Sequence, residues 1–307
     1  MISRVTTQTQ IRAAQTSLQS NLARLTQLQE QASSLTTLKN PSDDPARAAD
    51  SLAVRAQQTA VAQYSRNVEN GTGWLTTADG ALSATTNIMN QVRDLTVQGG
   101  NGSLSQTAKS ALAAQLQGLK QDLLTQANTQ YLGRSVFAGN SDKAAAFTTS
   151  GTIVTFTGTA GATVERRVAA DSTVRVDSDG ASVYGIGTES VFSLIDNISN
   201  ALDSSTGVAG AGATATTTAS DYLATVDTRL TTVIAAQSDN GVRQAQIESA
   251  GAGLVSKAGT LEAQRSGIED VDLAQAALDL KLQEVSYQAA LSVTAKVLQH
   301  TLMDFLQ

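Results

Sequence analysis

The chain has 307 residues, 21 Lys and Arg against 27 Asp and Glu, and no cysteine. Its net charge of −6 and the lack of any basic cluster larger than Arg166-Arg167 argue against a nucleic-acid partner or an anionic membrane surface. Without cysteine, disulfides, thiolate metal sites and cysteine nucleophiles are excluded. Aromatics make up 4% of the chain and Trp74 is the single tryptophan, so the composition predicts a thin, aliphatic core of the kind that suits helical bundles. No apolar run approaches the roughly 20 residues of a membrane span. The opening MISRVTTQTQIRAAQ lacks a continuous apolar region, so no cleavable secretory signal is expected.

The first segment carries a heptad. Ile11, Leu18, Leu25 and Ala32 fall seven apart, with Leu22, Leu28 and Leu35 on adjoining positions. The stripe ends at Asn40-Pro41-Ser42-Asp43-Asp44-Pro45, which holds both prolines of the chain. Pro41 disfavours helical geometry at Asn40, whereas Asp44 before Pro45 reads as an N-cap with proline at the first helical position. Pro41, Asp43, Asp44 and Pro45 therefore form a predicted helix break and restart. The next helix repeats every seven residues through Val54, Val61, Val68, Leu75, Leu82 and Met89. Gly71, Gly73 and Gly80 interrupt it at roughly 1 kcal/mol each relative to Ala, a cost that only packing would offset. Gly99-Gly100-Asn101-Gly102 forces a turn, and Ser103 or Ser105 can cap a following helix with Leu112, Leu116, Leu119 and Leu123 on one face, completing an αα-hairpin.

Between about 141 and 187 Thr, Val, Gly and Ser dominate. Four β-prone pieces, 152–157, 163–168, 173–177 and 181–184, predict a small antiparallel insert. A short helix over 189–202 follows, then a low-complexity Gly/Ala/Ser/Thr tract at 204–220 that reads as a flexible loop. Val226, Val233, Asn240, Ile247, Leu254, Leu261 and Ile268 keep strict seven-residue spacing, which predicts a helix over 220–267 of roughly 70 Å at 1.5 Å per residue. The stripe resumes in a new phase through Leu278, Leu282, Val285 and Ala289, and closes with Leu291, Ala295, Leu298, Leu302 and Phe305.

The expected fold is mainly α with a small β insert: a long antiparallel helical bundle formed by the N- and C-terminal regions, a terminal coiled coil, and a central antiparallel β domain. The expected division is a terminal assembly domain of 1–40 with 270–307, a helical bundle of 41–141 with 188–269, and a β-rich insert of 142–187. Two isolated helices bury too little area to be stable alone. The terminal stripes are therefore read as an assembly interface completed by neighbouring copies: Ile11, Leu18, Leu22, Leu25 and Leu28 with Leu278, Leu282, Val285, Leu291, Leu298, Leu302 and Phe305. On this reading the terminal helices are largely disordered in the free monomer.

Catalytic constellations are missing. His300 is the single histidine and has no Cys or second His to complete a metal or catalytic site. Asp43 and Asp44 fit capping better than paired acid–base work, because Pro45 follows. Asp177, Asp179 and Gly180 lack the spacing and closing Glu of a calcium loop. Gly210, Gly212 and Ala215 formally match a dinucleotide fingerprint, but no strand precedes them. No enzyme activity, cofactor or metal is expected.

Five stretches carry a family resemblance. NPSDDPARAAD at 40–50, RNVENGTGWLTTADGALSATTNIMNQVRDLTVQGGN at 66–101, YLGRSVFAG at 131–139, IEDVDLA at 268–274 and LMDFL at 302–306 resemble, in order, elements of the flagellin-like hook–filament junction proteins, also called hook-associated protein 3. The resemblance covers the first 140 and roughly the last 60 residues. It departs at Leu35, where the family often has Gly before a basic residue. It implies a structural, extracellular subunit exported unfolded through the flagellar type III apparatus with a cytoplasmic chaperone on its C-terminal region. The implied partners are copies of itself in a ring or helical layer, another hook-associated protein and flagellin. Flagellin itself is the alternative, although Pro41 and Pro45 flank the two aspartates where flagellins more often have an alanine-rich version. A secreted adhesin using the β insert is a further reading.

Overall fold

The computed structural model describes residues 2–38, 40–42, 44–203 and 218–305, and the side-chain surroundings of 12–296 among them. The helices are α1 (Ile2–Ser34), α2 (Pro45–Gly99), α3 (Gln106–Ala127), α4 (Gly180–Tyr184), α5 (Val191–Leu202), α6 (Leu223–Glu269) and α7 (Leu273–Phe305). The strands are β1 (Gln130–Tyr131), β2 (Arg134–Ser135), β3 (Phe147–Ser150), β4 (Ile153–Phe156), β5 (Glu165–Ala169) and β6 (Ser172–Arg175), paired as three antiparallel hairpins. The chain divides into two compact units, 1–60 with 257–307 and 61–256.

In the larger unit the seven-residue stripes are the core. Val61, Val68, Leu75, Leu82 and Met89 of α2 and Val226, Val233, Ile247 and Leu254 of α6 are all buried. Asn240 occupies one fully buried position of the α6 stripe and donates through Nδ2 to the Leu75 carbonyl at 3.0 Å. A lone polar residue in an apolar seam fixes register, because any slip strands it without a partner. Gly71 and Gly73 have the packing reason that their helix cost demands. A Cβ at Gly71 would collide with the end of Ile247, and one at Gly73 with the Tyr131 hydroxyl. Gly80 has no atom within 4 Å of such a Cβ, so its cost is not offset by packing.

Ser105 caps α3, accepting from the Ala108 amide at 3.3 Å. Lys120 of α3 is buried and donates to both carboxylate oxygens of Asp196 on α5, at 2.8 and 2.6 Å, and to the Thr152 carbonyl at 3.0 Å, tying two helices to the β3–β4 turn. The β1–β2 hairpin lies on α2, with the Tyr131 ring edge-on to Trp74 at 6.0 Å.

The middle of the chain departs from expectation in three ways. Residues 181–184 are helical, not a strand: Asp179 accepts from the Ala181 amide at 3.1 Å and starts α4, which buries Val183 and Tyr184. The β1–β2 hairpin and strand β3 lie outside the four pieces read from sequence. Nor is the core uniformly aliphatic. Phe147 stands 5.1, 5.5 and 5.3 Å from Phe156, Tyr184 and Phe192, and Phe137 packs edge-on to Tyr184 at 5.2 Å. Four of the five phenylalanines thus converge where the hairpins meet α5, and the Tyr184 hydroxyl pairs with Thr85 Oγ1 at 2.9 Å. Most of the tract at 204–220 lies outside the described residues.

Candidate assembly interface

In the smaller unit α1 and α7 pack along each other. On α1 the half-buried Ala14, Leu18, Asn21, Leu25, Leu28 and Ala32 follow in alternating steps of four and three, with Gln31 half-buried beside the last. On α7 the matching series is Ala276, Leu280, Gln283, Tyr287, Ala290 and Thr294. Gln283 donates through Nε2 to the Asn21 carbonyl at 3.1 Å, joining the two series. Alternating steps of four and three make a left-handed coiled-coil seam.

The C-terminal stripe read from sequence is not that seam. Leu278 (67% exposed), Leu282 (68%) and Val285 (55%) face away from it, with Leu291 and Val293 also exposed. On α1, Leu22 is likewise outside the seam, whereas Leu18, Leu25 and Leu28 lie within it. Ile11, Leu298, Leu302 and Phe305 sit in the helical spans of α1 and α7, but their side chains lie outside the described surroundings, as does that of His300. The sequence showed that α7 was apolar; it did not show that α7 has two faces, one of mixed apolar and polar side chains against α1 and one aliphatic toward solvent.

The break after α1 comes earlier than the prolines. α1 ends at Ser34, and Leu35 adopts a left-handed conformation with φ 58°, at the position where the resembled family often has Gly. Thr36 then bridges to Asp270, the Thr37 amide donates to the Glu269 carbonyl at 2.7 Å, and the Val271 amide donates to the Leu35 carbonyl at 3.2 Å. The α1 end is thereby laced to the α6–α7 joint. Asp44 Oδ1 accepts from the Ala46 and Arg47 amides at 3.1 Å each, and α2 begins at Pro45. Pro41 lies in the turn before it, and Asp43 is outside the described residues. Asp272 caps α7 in the same way, through the Ala274 and Gln275 amides.

A charged clamp that the sequence reading missed holds this joint. Glu269 is buried; its carboxylate accepts from Arg55 Nε at 2.7 Å and Nη2 at 2.9 Å, and from Ser51 Oγ at 2.5 Å. The Arg55 and then the Ser51 hydrogen bonds favour the charged form and outweigh desolvation, pulling the Glu269 pKa down to about 2. Glu269 was visible within IEDVDLA, and Arg265 one turn earlier also reaches its carboxylate at 3.5 Å, but Arg55 and Ser51 lie more than 200 residues away and no periodicity links them to it.

Two family models match the chain in order: the bacterial flagellin N-terminal helical region over residues 5–142, and the bacterial flagellin C-terminal helical region over 223–306. Together they cover well over half of it. The chain belongs to the bacterial flagellin family. Both matched regions contribute a helix to the α1–α7 pair. Flagellar hook-associated protein 3 of Salmonella typhimurium is 31% identical over 145 residues, 47% of this chain and 46% of that relative, so the match spans under half of the relative's length. A flagellar filament 30.7 kDa core protein of Treponema maltophilum is 27% identical over 87% of this chain and 86% of its own length. Among solved structures, a flagellar hook-associated protein from Vibrio parahaemolyticus shares the fold with a TM-score of 0.65 at 20% identity, covering 74% of this chain and all of that one. Among the described residues no helix is long and apolar enough to cross a membrane.

Proposed function

We propose that this flagellin-family chain is a structural adaptor at the hook–filament junction, working by binding and mechanical coupling without substrate turnover. The similarity to hook-associated protein 3 carries the reading over the flagellin alternative. The double-faced α7 supports an assembly role: covering an exposed leucine or valine is worth about 1.5–3 kcal/mol, and Leu278, Leu282 and Val285 are unspent in the monomer. Residues 1–40 with 270–307 are the assembly domain, 41–141 with 188–269 the bundle, and 142–187 the β-rich insert. Ile11, Leu298, Leu302 and Phe305 extend the same interface. Copies form a ring or helical layer, meeting another hook-associated protein on one side and flagellin on the other. The chain reaches that place through the flagellar export apparatus, its C-terminal region shielded by a chaperone.

A second reading, a filament subunit, is favoured by the long match to the Treponema core protein. Electron microscopy of a strain lacking the chain separates the two. Hooks without filaments, with flagellin shed into the medium, are expected for the junction role. Normal filaments would remove it, and hooks with no flagellin in the medium would favour the filament subunit.

A further inference from the structure

The β1–β2 hairpin presents a side chain that the fold does not use. Tyr131 pairs with Arg134, leaving Leu132 and Gly133 as a two-residue connection with φ 51° and 78°. That is the primed hairpin turn usually made by Asn-Gly, and a leucine held there costs on the order of 1 kcal/mol. Leu132 is also 77% exposed, so no burial offsets the strain. Beside it the guanidinium groups of Arg134 and Arg166 stand over the Trp74 ring, 5.9 and 5.8 Å from its centroid. The Arg134 Nε is buried without a hydrogen-bond acceptor, and the carboxylate nearest in reach is the fully exposed Asp142 at 3.8 Å. The hairpin tip is thus an apolar knob flanked by two cations.

The opposite combination lies in the same unit. A groove of about 400 Å³ between α2 and α3 has the half-buried Leu95 and Leu119 as its floor, Gly118 opening one wall, and the exposed Asp94 and Asp122 on its rim. Neither aspartate accepts a side-chain hydrogen bond among the described residues. The hairpin packs at Gly73 and Trp74, while the groove begins some twenty residues further along α2, or about 30 Å at 1.5 Å per residue. A knob cannot reach its own socket across that span.

We infer that Leu132 of one copy docks in the Leu95–Leu119 groove of a second copy of this chain, with Arg134 and Arg166 meeting Asp94 and Asp122. Two different patches meet, so the contact is head-to-tail, the kind that closes into a ring or continues as a helix. The inference rests on the assembly role proposed above and adds a contact outside the terminal helices. Opposed charges set the register and orientation of the encounter, and the leucine fills the groove.

Since the native chain has no cysteine, introduced thiols report the contact directly. Full-length protein carrying Leu132→Cys and Gly118→Cys is recovered in flagella sheared from cells and oxidised. A Cβ at Gly118 meets nothing within 4 Å, so that change is compatible with the fold. A reducible ladder of multimers is expected, at least tenfold stronger than from either single variant or from Ile153→Cys with Gly118→Cys. Equal ladders in the control, cross-linking only to another flagellar protein, or no ladder although the chain is present in the flagella would overturn the contact and leave the junction reading standing. Absence of the wild-type chain from flagella would overturn both. Leu132→Asn supplies a second arm: the monomer should melt higher as strain is relieved, while incorporation into flagella falls at least tenfold. A stabilised variant that assembles like wild type would remove the knob's role.

Discussion

Leu35 and Leu132 are the non-glycine residues with positive φ among the described residues, and both are exposed. At Leu35 the left-handed backbone ends α1, a task glycine performs without a Cβ penalty. Leu35→Gly should therefore raise unfolding stability by about 1 kcal/mol, as measured by thermal or denaturant unfolding. Glu269 works through charge. Its carboxylate is ordinarily half-protonated near pH 4.5 and is held down to about 2 in the fold, so its contribution is complete above about pH 4.5 and is lost as the pH falls toward 2. Glu269→Gln should cost about 2 kcal/mol at pH 7, less than a fully buried pair because Arg55 is largely exposed, and should flatten the acid limb of stability between those values. A titration limb identical to wild type would show that Glu269 carries none of it.

At the scale of the element, the two glycines of α2 separate propensity from packing. Gly80→Ala should stabilise the fold by about 0.5–1 kcal/mol, since its Cβ would enter open space. Gly73→Ala has the same gain in propensity but drives a methyl into the Tyr131 ring, and should lose about 1–3 kcal/mol net. The α7 faces differ in the same manner. Leu278→Gln with Leu282→Gln removes apolar surface that the isolated chain leaves in water, so the unfolding free energy should hold within about 0.5 kcal/mol while incorporation into flagella falls. Loss of folding in that double variant would place those leucines in a monomer core instead. The seven-residue stripes of α2 and α6 were readable because burial there follows helical period alone. Which face of α7 meets α1 was not readable, because several registers of one apolar helix satisfy a heptad, and only the partner, with Asn21 meeting Gln283, selects among them.

For the whole molecule, stability is uneven. The larger unit buries complete stripes and an aromatic cluster, whereas the α1–α7 seam is only half-buried and includes Asn, Gln and Thr. Amide exchange in dilute monomer should be fast over 12–34 and 273–296 and slow over 61–99; strong protection at both ends would contradict an interface completed by neighbours. The sequence alone determined the helical periods, the proline break with its Asp44 cap, the β-prone middle and the family, because each is written within a few turns of chain. The tertiary structure decided which face of α7 meets α1, why Gly71 and Gly73 are glycine, that 181–184 is a helix closing an aromatic core, and that Glu269 clamps Ser51 and Arg55. Each of these depends on residues distant in sequence being brought within a few ångströms, where excluded volume and hydrogen-bond geometry, unlike local propensity, have no periodic signature.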